Sequence, residues 1–221
     1  HVVYYKGHFN YSAINNFGAS FAKGEYLLLL NNDTELLEPD SIREMLGFCQ
    51  REEVGIAGAR LLYADDTIQH AGVVVGLGGV AAHVLCKLPR DAEGYMGRLR
   101  CVQEISAVTA ACMMVKTSVF KAVGGFDEEL KVAFNDIDLC MKVRKYGVKI
   151  VFTPYAELYH YESKSRGMED TPEKQLRFSR EVNCFRRKWE RELLKGDPYY
   201  NPNLTLNNTD CSLRKQEKNG D

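Results

Sequence analysis

The chain has 221 residues, 29 of them basic and 30 acidic, for a formal net charge of −1. That length suits one sizeable α/β domain rather than two, and the balanced charge gives no global electrostatic reason to expect nucleic acid as a partner. Seven cysteines (Cys49, Cys86, Cys101, Cys112, Cys140, Cys184 and Cys211) form no CxxC pair, and an odd number in mostly apolar settings reads as reduced thiols in a reducing compartment.

In chain order, residues 2–5 read as a short strand and residues 11–23 as a helix stopped by Gly24. The run Leu27-Leu28-Leu29-Leu30 is too short for a membrane span and is bounded by polar residues, so it reads as a strand buried on both faces. It stops at Asn31-Asn32-Asp33. A buried parallel strand that ends in side-chain oxygens delivers them to the carboxyl edge of an open α/β sheet, where ligands of such sheets bind. An aspartate there is placed to hold a hard cation beside a phosphate. Glu38-Pro39-Asp40-Ser41 opens a helix that runs through Phe48, with proline and acid in its first turn, and residues 54–62 return as a strand. This alternation predicts a mostly parallel sheet with helical crossovers.

Residues 65–100 lose the pattern and read as an insertion over one sheet edge, with residues 67–75 as a strand inside it. Its most apolar window, residues 71–86, is glycine-rich and too short to cross a bilayer. Residues 102–115 predict a strand and residues 117–123 a short helix, closed by Gly124-Gly125. Residues 135–146 predict a helix capped by Asn135, with Asp136 and Asp138 in the first turn, Lys142, Arg144 and Lys145 near the end, and Gly147 as the stop. Residues 148–152 form a further strand broken by Pro154, and residues 158–161 lead into a polar loop, 162–171. The stretch Pro172–Lys195 predicts a long helix, because Phe178, Val182, Phe185, Trp189 and Leu193 recur at helical spacing on an otherwise charged surface. Residues 1–196 thus make one domain, and residues 197–221 a polar tail expected to be extended or disordered.

Three polar constellations follow apolar elements: Asn31-Asn32-Asp33, Asn135-Asp136 with Asp138, and His160. Each has a plain structural reading. Asn and Asp are turn residues, acids in a first helical turn cap it, and a lone histidine is more often packed or exposed than a ligand.

Their order and flanks point further. FNYSAINNFGASFAKGEYLLLLNNDTE, GGFDEEL, FNDIDLCMKVRKYG and FTPYAELYHYES together resemble a family 2 glycosyltransferase of the GT-A fold, in particular the bacterial branch with rhamnosyltransferase-like polysaccharide enzymes. The resemblance spans residues 9–165. It implies an α/β fold with a GT-A-like, mostly parallel sheet flanked by helices and a C-terminal amphipathic helix, lacking the first nucleotide-binding strands of the family.

By position, Asn31-Asn32-Asp33 matches the family's DxD metal motif with Asn31 in place of the first aspartate. The resemblance makes Asp33 a ligand for Mg²⁺ or Mn²⁺ bridging the donor's phosphates, and His160 a further ligand. Asn16, Asn31 and Asn32 fall on the donor side, and Gly125, Phe126, Asp127 and Asn135 on the acceptor side. Asp136 matches the general base that takes the proton of the acceptor hydroxyl, although Asn135 stands where the family has glutamate. One displacement with one base inverts the anomeric centre, and no second nucleophile is visible for a retaining route. The partners implied are a nucleotide-sugar donor and a saccharide or lipid-linked saccharide acceptor, in the cytoplasm or at the inner face of the cell membrane.

Two other classes stay open on sequence. A sugar-nucleotide pyrophosphorylase uses metal-binding aspartates on the same fold, and a non-catalytic scaffold needs only surface. Ten basic against seven acidic residues between Glu162 and Lys195 give the last helix a mild attraction for anionic lipid heads, as an ordinary solvated helix also has.

Overall fold

The computed structural model describes residues 1–161 and 171–215. Helix α1 (Tyr11–Phe21) starts where the Asn10 side chain accepts from the Ala13 N–H, which satisfies one of the helix's orphan donors. Strand β1 (Tyr26–Leu30), β2 (Thr34–Leu36), α2 (Ser41–Cys49) and β3 (Val54–Leu62) follow. The middle of the chain carries short strands: β4 (Ile68–His70), β5 (Val73–Val75), β6 (Ala81–His83) and β7 (Gln103–Glu104). Then come β8 (Cys112–Lys116), α3 (Thr117–Ala122), α4 (Asn135–Tyr146), β9 (Lys149–His160) and α5 (Pro172–Lys195).

The main sheet has seven strands in the order β1-β8-β3-β9-β2, with β4 added to β3 and β7 to β9. Strands β5 and β6 pair separately. Because β8 is antiparallel to both β1 and β3, and β3 is parallel to β9, strands β1, β3 and β9 all run the same way. Their carboxyl ends meet at one edge. The mostly parallel sheet expected from the alternation is nevertheless corrected: β8 sits between β1 and β3, so most pairings are antiparallel. Strand β8 is entered from an irregular segment rather than across a helix, and only a crossover obliges a strand to run with its neighbour.

Other local readings change for physical reasons. Residues 2–5 form no strand, since among the described residues nothing pairs with the second edge of β1. The expected strand 67–75 splits into β4 and β5 at Gly72, whose φ of 100° lies in the left-handed region open to glycine. Strand β9 runs through Pro154 instead of stopping. It leaves β3 after Thr153, which faces Ala59, and rejoins at Glu157, which faces Arg60, so the proline sits in a bulge where the ladder needs no N–H. At the start of α4 the cap is Phe134, at φ 62°, and Asn135 instead donates from Nδ2 to the Val132 carbonyl at 3.1 Å.

Strand β3 is buried on both sides. Ile56 and Leu62 join a core with Phe152, Met113, Leu139 and Phe185, while Ala57, Ala59 and Leu61 join a second one under Met45 and Cys49 of α2. Helix α5 fastens the approach to α4. Glu181 accepts from the N–H groups of Lys131, Val132 and Ala133, Phe185 lies 5.4 Å from the Phe134 ring, and Trp189 Nε1 donates to Asp138 Oδ1 at 2.8 Å. The C-terminal stretch up to residue 215 is folded against the domain rather than extended: Tyr200, Leu204 and Cys211 are buried, and Asp197 Oδ2 accepts from the Val75 N–H at 2.8 Å. Of the polar loop expected at 162–171, residues 162–170 lie outside the described residues.

Candidate active site

The turn after β1 is built by its own polar atoms. The Asn31 N–H donates to the Ala111 carbonyl at 3.0 Å, and Thr34 Oγ1 donates to the Asn31 carbonyl at 2.8 Å. Strand β2 then runs back along the end of β9, pairing Thr34 with His160. That register sets Asp33 beside the histidine: Asp33 Oδ1 lies 3.3 Å from His160 Nε2, and Asn31 Nδ2 lies 3.2 Å from the same nitrogen. Asn32 is exposed at the rim.

Asp136 is held from another direction. It lies in the first turn of α4, where the helix dipole favours an anion. Its Oδ1 accepts from the Ile137 N–H at 2.8 Å and its Oδ2 from the Ala110 N–H at 3.2 Å. Tyr11 of α1 donates from its hydroxyl to the Ala110 carbonyl at 3.0 Å. Burial, and secondarily the Asp136 charge, push the Tyr11 phenol well above the usual tyrosine range, so it remains a donor.

These two groups share a cleft of about 730 Å³ lined by Asn31, Asn32, Asp33, Asn135, Asp136 and His160 together with Tyr11, Asn15 and residues 109–111. A larger hollow of about 910 Å³ opens near Arg60, Arg90 and Glu157. There Glu157 takes both guanidiniums as ion pairs, and no imidazole stands beside a carboxylate in the lining. Chemistry, not size, selects the smaller cleft.

Four of the residues singled out by sequence lie behind the cleft rather than in it. Asn16 donates from Nδ2 to the Phe126 carbonyl at 3.0 Å and accepts at Oδ1 from the Phe126 N–H at 2.8 Å. Its amide therefore props the loop carrying Gly125, Phe126 and Asp127, and Asn15 is the α1 asparagine that lines the cleft. A Cβ on Gly125 would come within 2.5 Å of Asn16 Oδ1, which is why this close approach takes glycine. Phe126 is buried, and Asp127 is paired with Lys188 of α5 at 2.5 Å.

Sequence reading missed what stands behind His160. Gln69 and His70 lie in a stretch whose pattern is loose, and their partners come from distant segments. His70 is fully buried; its Nδ1 is 3.2 Å from His83 Nδ1, and its Nε2 accepts from the Thr109 N–H at 3.4 Å. Burial first, then charge on His83 and His160, pushes this imidazole well below the usual histidine range, so it is neutral in the fold. The unfolded chain binds a proton below about pH 6.5 that the native His70 refuses. The His70 contribution to stability is therefore complete above that pH and is lost as pH falls below it. Chemical unfolding at about pH 6.5 and about one unit lower is expected to show a larger loss of stability in the native protein than in His70→Gln.

Residues 6–180 match the model of Glycosyltransferase like family 2, which is most of the chain. The chain belongs to glycosyltransferase family 2. A Sinorhizobium fredii relative described as uncharacterized protein y4gI is 54% identical over 206 residues, covering 93% of this chain and 23% of that protein. The O-antigen biosynthesis protein RfbC of Myxococcus xanthus is 41% identical over 214 residues, covering 96% of this chain and 16% of RfbC. This glycosyltransferase chain therefore spans less than a quarter of the length of either relative. Its fold is similar to the crystal structure of GalNAc-T7 with UDP, GalNAc and Mn²⁺, with a TM-score of 0.62 and 14% identity over 86% of this chain and 36% of that one. The fold is that of the GT-A glycosyltransferases, a mixed α/β sheet flanked by helices.

The donor set at β1 and β9 suits a divalent cation shared with a substrate. A carboxylate and an imidazole nitrogen stand side by side on one cleft, and among the described residues no group of three His, Cys, Asp or Glu side chains is placed to hold a metal. Cations of this kind commonly take one or two protein carboxylates and complete their shell with substrate phosphates and water. Asp33 and His160 fit that arrangement.

Proposed function

We propose that this chain carries the transfer centre of a metal-dependent, inverting glycosyltransferase that moves a sugar from a nucleoside-diphosphate sugar to a hydroxyl of a saccharide or lipid-linked saccharide, in the making of a bacterial cell-surface polysaccharide. The observation that carries the reading is the single cleft lined by both the Asp33–His160 pair and Asp136. The O-antigen role of RfbC and the Mn²⁺ and UDP in GalNAc-T7 support it.

Asp33 and His160 are the residues that would hold the cation, and Asn31 and Asn32 face the donor beside them. A bound divalent cation supplies Lewis-acid stabilisation to the charge that grows on the departing diphosphate. Asp136 takes the proton from the acceptor hydroxyl as its oxygen bonds to the anomeric carbon and the bond to the diphosphate breaks, a contribution of about 10²–10⁴ in rate. The backbone N–H groups of Ile137 and Ala110 fix that carboxylate in place, and Tyr11 fixes Ala110. With a single base the incoming oxygen attacks from the face opposite the leaving group, so the anomeric configuration inverts. A nucleotide-sugar donor sets the reaction in the cytoplasm, and a lipid-linked acceptor brings it to the inner face of the membrane.

The test is release of nucleoside diphosphate from a panel of nucleotide-sugars by the intact protein with Mn²⁺ or with a chelator. Metal-dependent release from one donor is the expected result. Absence of any nucleotide binding by the fully folded protein would favour the scaffold.

A further inference from the structure

His160 is gripped by one residue through both its backbone and its ring. Gln69, itself buried, donates from Nε2 to the His160 carbonyl oxygen at 3.1 Å and places Oε1 at 2.6 Å from His160 Nδ1. A backbone carbonyl only accepts, so the amide nitrogen must face it and the amide oxygen must face the ring. That oxygen cannot donate. In the neutral form of the imidazole the proton therefore sits on Nδ1, and Nε2 is the acceptor nitrogen, 3.2 Å from Asn31 Nδ2 and 3.3 Å from Asp33 Oδ1 on the cleft.

The backbone is irregular at this residue. In the β3–β4 pairing Leu61 faces His70 and Leu62 faces Ile68, so Gln69 is the extra residue of a bulge. Bulges re-aim a side chain and recur beside active sites. The Gln69 carbonyl is anchored in turn by Cys86 Sγ at 3.2 Å.

We infer that Gln69 is a positioning residue of the cation site, which fixes the tautomer and the ring plane of His160 so that Nε2 and Asp33 act as a pair. The inference rests on the reading of Asp33 and His160 as metal ligands. Outer partners of this kind change metal affinity by about 10–100-fold when removed.

Two measurements on the intact protein test it. The first uses no metal: long-range ¹H–¹⁵N correlation of the imidazole reports which nitrogen of His160 carries the proton. Native protein is expected to show a protonated Nδ1, and Gln69→Leu to shift population to a protonated Nε2. Gln69→Met replaces Gln69→Leu if the latter does not fold. The second measures free Mn²⁺ by electron paramagnetic resonance during titration. Affinity is expected to fall about 10–100-fold in Gln69→Leu. A His160 tautomer unchanged by Gln69→Leu or Gln69→Met overturns the inference. A tautomer that shifts while Asp33→Ala and His160→Ala leave Mn²⁺ binding untouched overturns the metal reading, and with it the role of Gln69 at a cation.

Discussion

Asp136→Asn is expected to lower the rate of sugar transfer by about 10²–10⁴-fold, the worth of a well-placed general base, while donor affinity stays within a few-fold of native. The asparagine matches the carboxylate in size but has no oxygen able to take and hold a proton from a hydroxyl. Both Asp136 oxygens accept backbone N–H groups, from Ile137 and Ala110. The substituted amide nitrogen must therefore oppose one of these donors, at a cost of about 1–3 kcal/mol. A folding check by thermal unfolding separates that cost from the chemistry. Kinetics of product formation together with calorimetric donor binding decide the matter: lost donor affinity with transfer preserved would place Asp136 on the donor side and remove it as the base.

What was legible in the chain, and what was not, divides by where the information lies. The run Leu27-Leu28-Leu29-Leu30 and its stop at Asn31-Asn32-Asp33 is a local statement: a short apolar segment bounded by polar residues has few structures open to it. Helix α5 is local for the same reason, since its apolar stripe recurs along one face. Strand β9 is not local. Pro154 reads as a break, and it is tolerated only because Thr153 and Glu157 find successive residues of β3, Ala59 and Arg60. Likewise the direction of β8 depends on its arriving between β1 and β3, and no residue of Cys112–Lys116 records that.

The site divides in the same way. Asp33, Asp136 and His160 were nominated because each sits at the end or start of a strong element, and such ends gather at one sheet edge. Their supports were hidden. Tyr11 acts through the Ala110 carbonyl, which lies 99 residues away in sequence, and Gln69 acts through a bulge whose existence depends on the register of another strand. Asn16 shows the converse. Its motif was recognisable, but its amide turns to the Phe126 backbone, an orientation that only the packing of α1 on the 125–128 loop determines.

The other large effect expected is on donor binding. Asp33→Ala should abolish the metal-dependent part of donor affinity, a loss of at least about 100-fold, because removing a ligand outright exceeds the 10–100-fold effect of removing a ligand's support. The geometry makes the prediction specific. Strand pairing of Thr34 with His160 sets the Asp33 carboxylate and the imidazole 3.3 Å apart; without the carboxylate, His160 alone offers one neutral nitrogen and no charge to balance a dication beside a diphosphate. Calorimetric titration with nucleotide-sugars, with Mn²⁺ and with chelator, should show a strong metal effect in the native protein and none in Asp33→Ala. Affinity in the absence of metal should be no lower in Asp33→Ala than in the native protein, since the substitution removes a negative charge that, without a cation, only repels phosphate. An Asp33→Ala protein that binds donor as tightly as native in Mn²⁺ would leave the turn after β1 as a turn and nothing more.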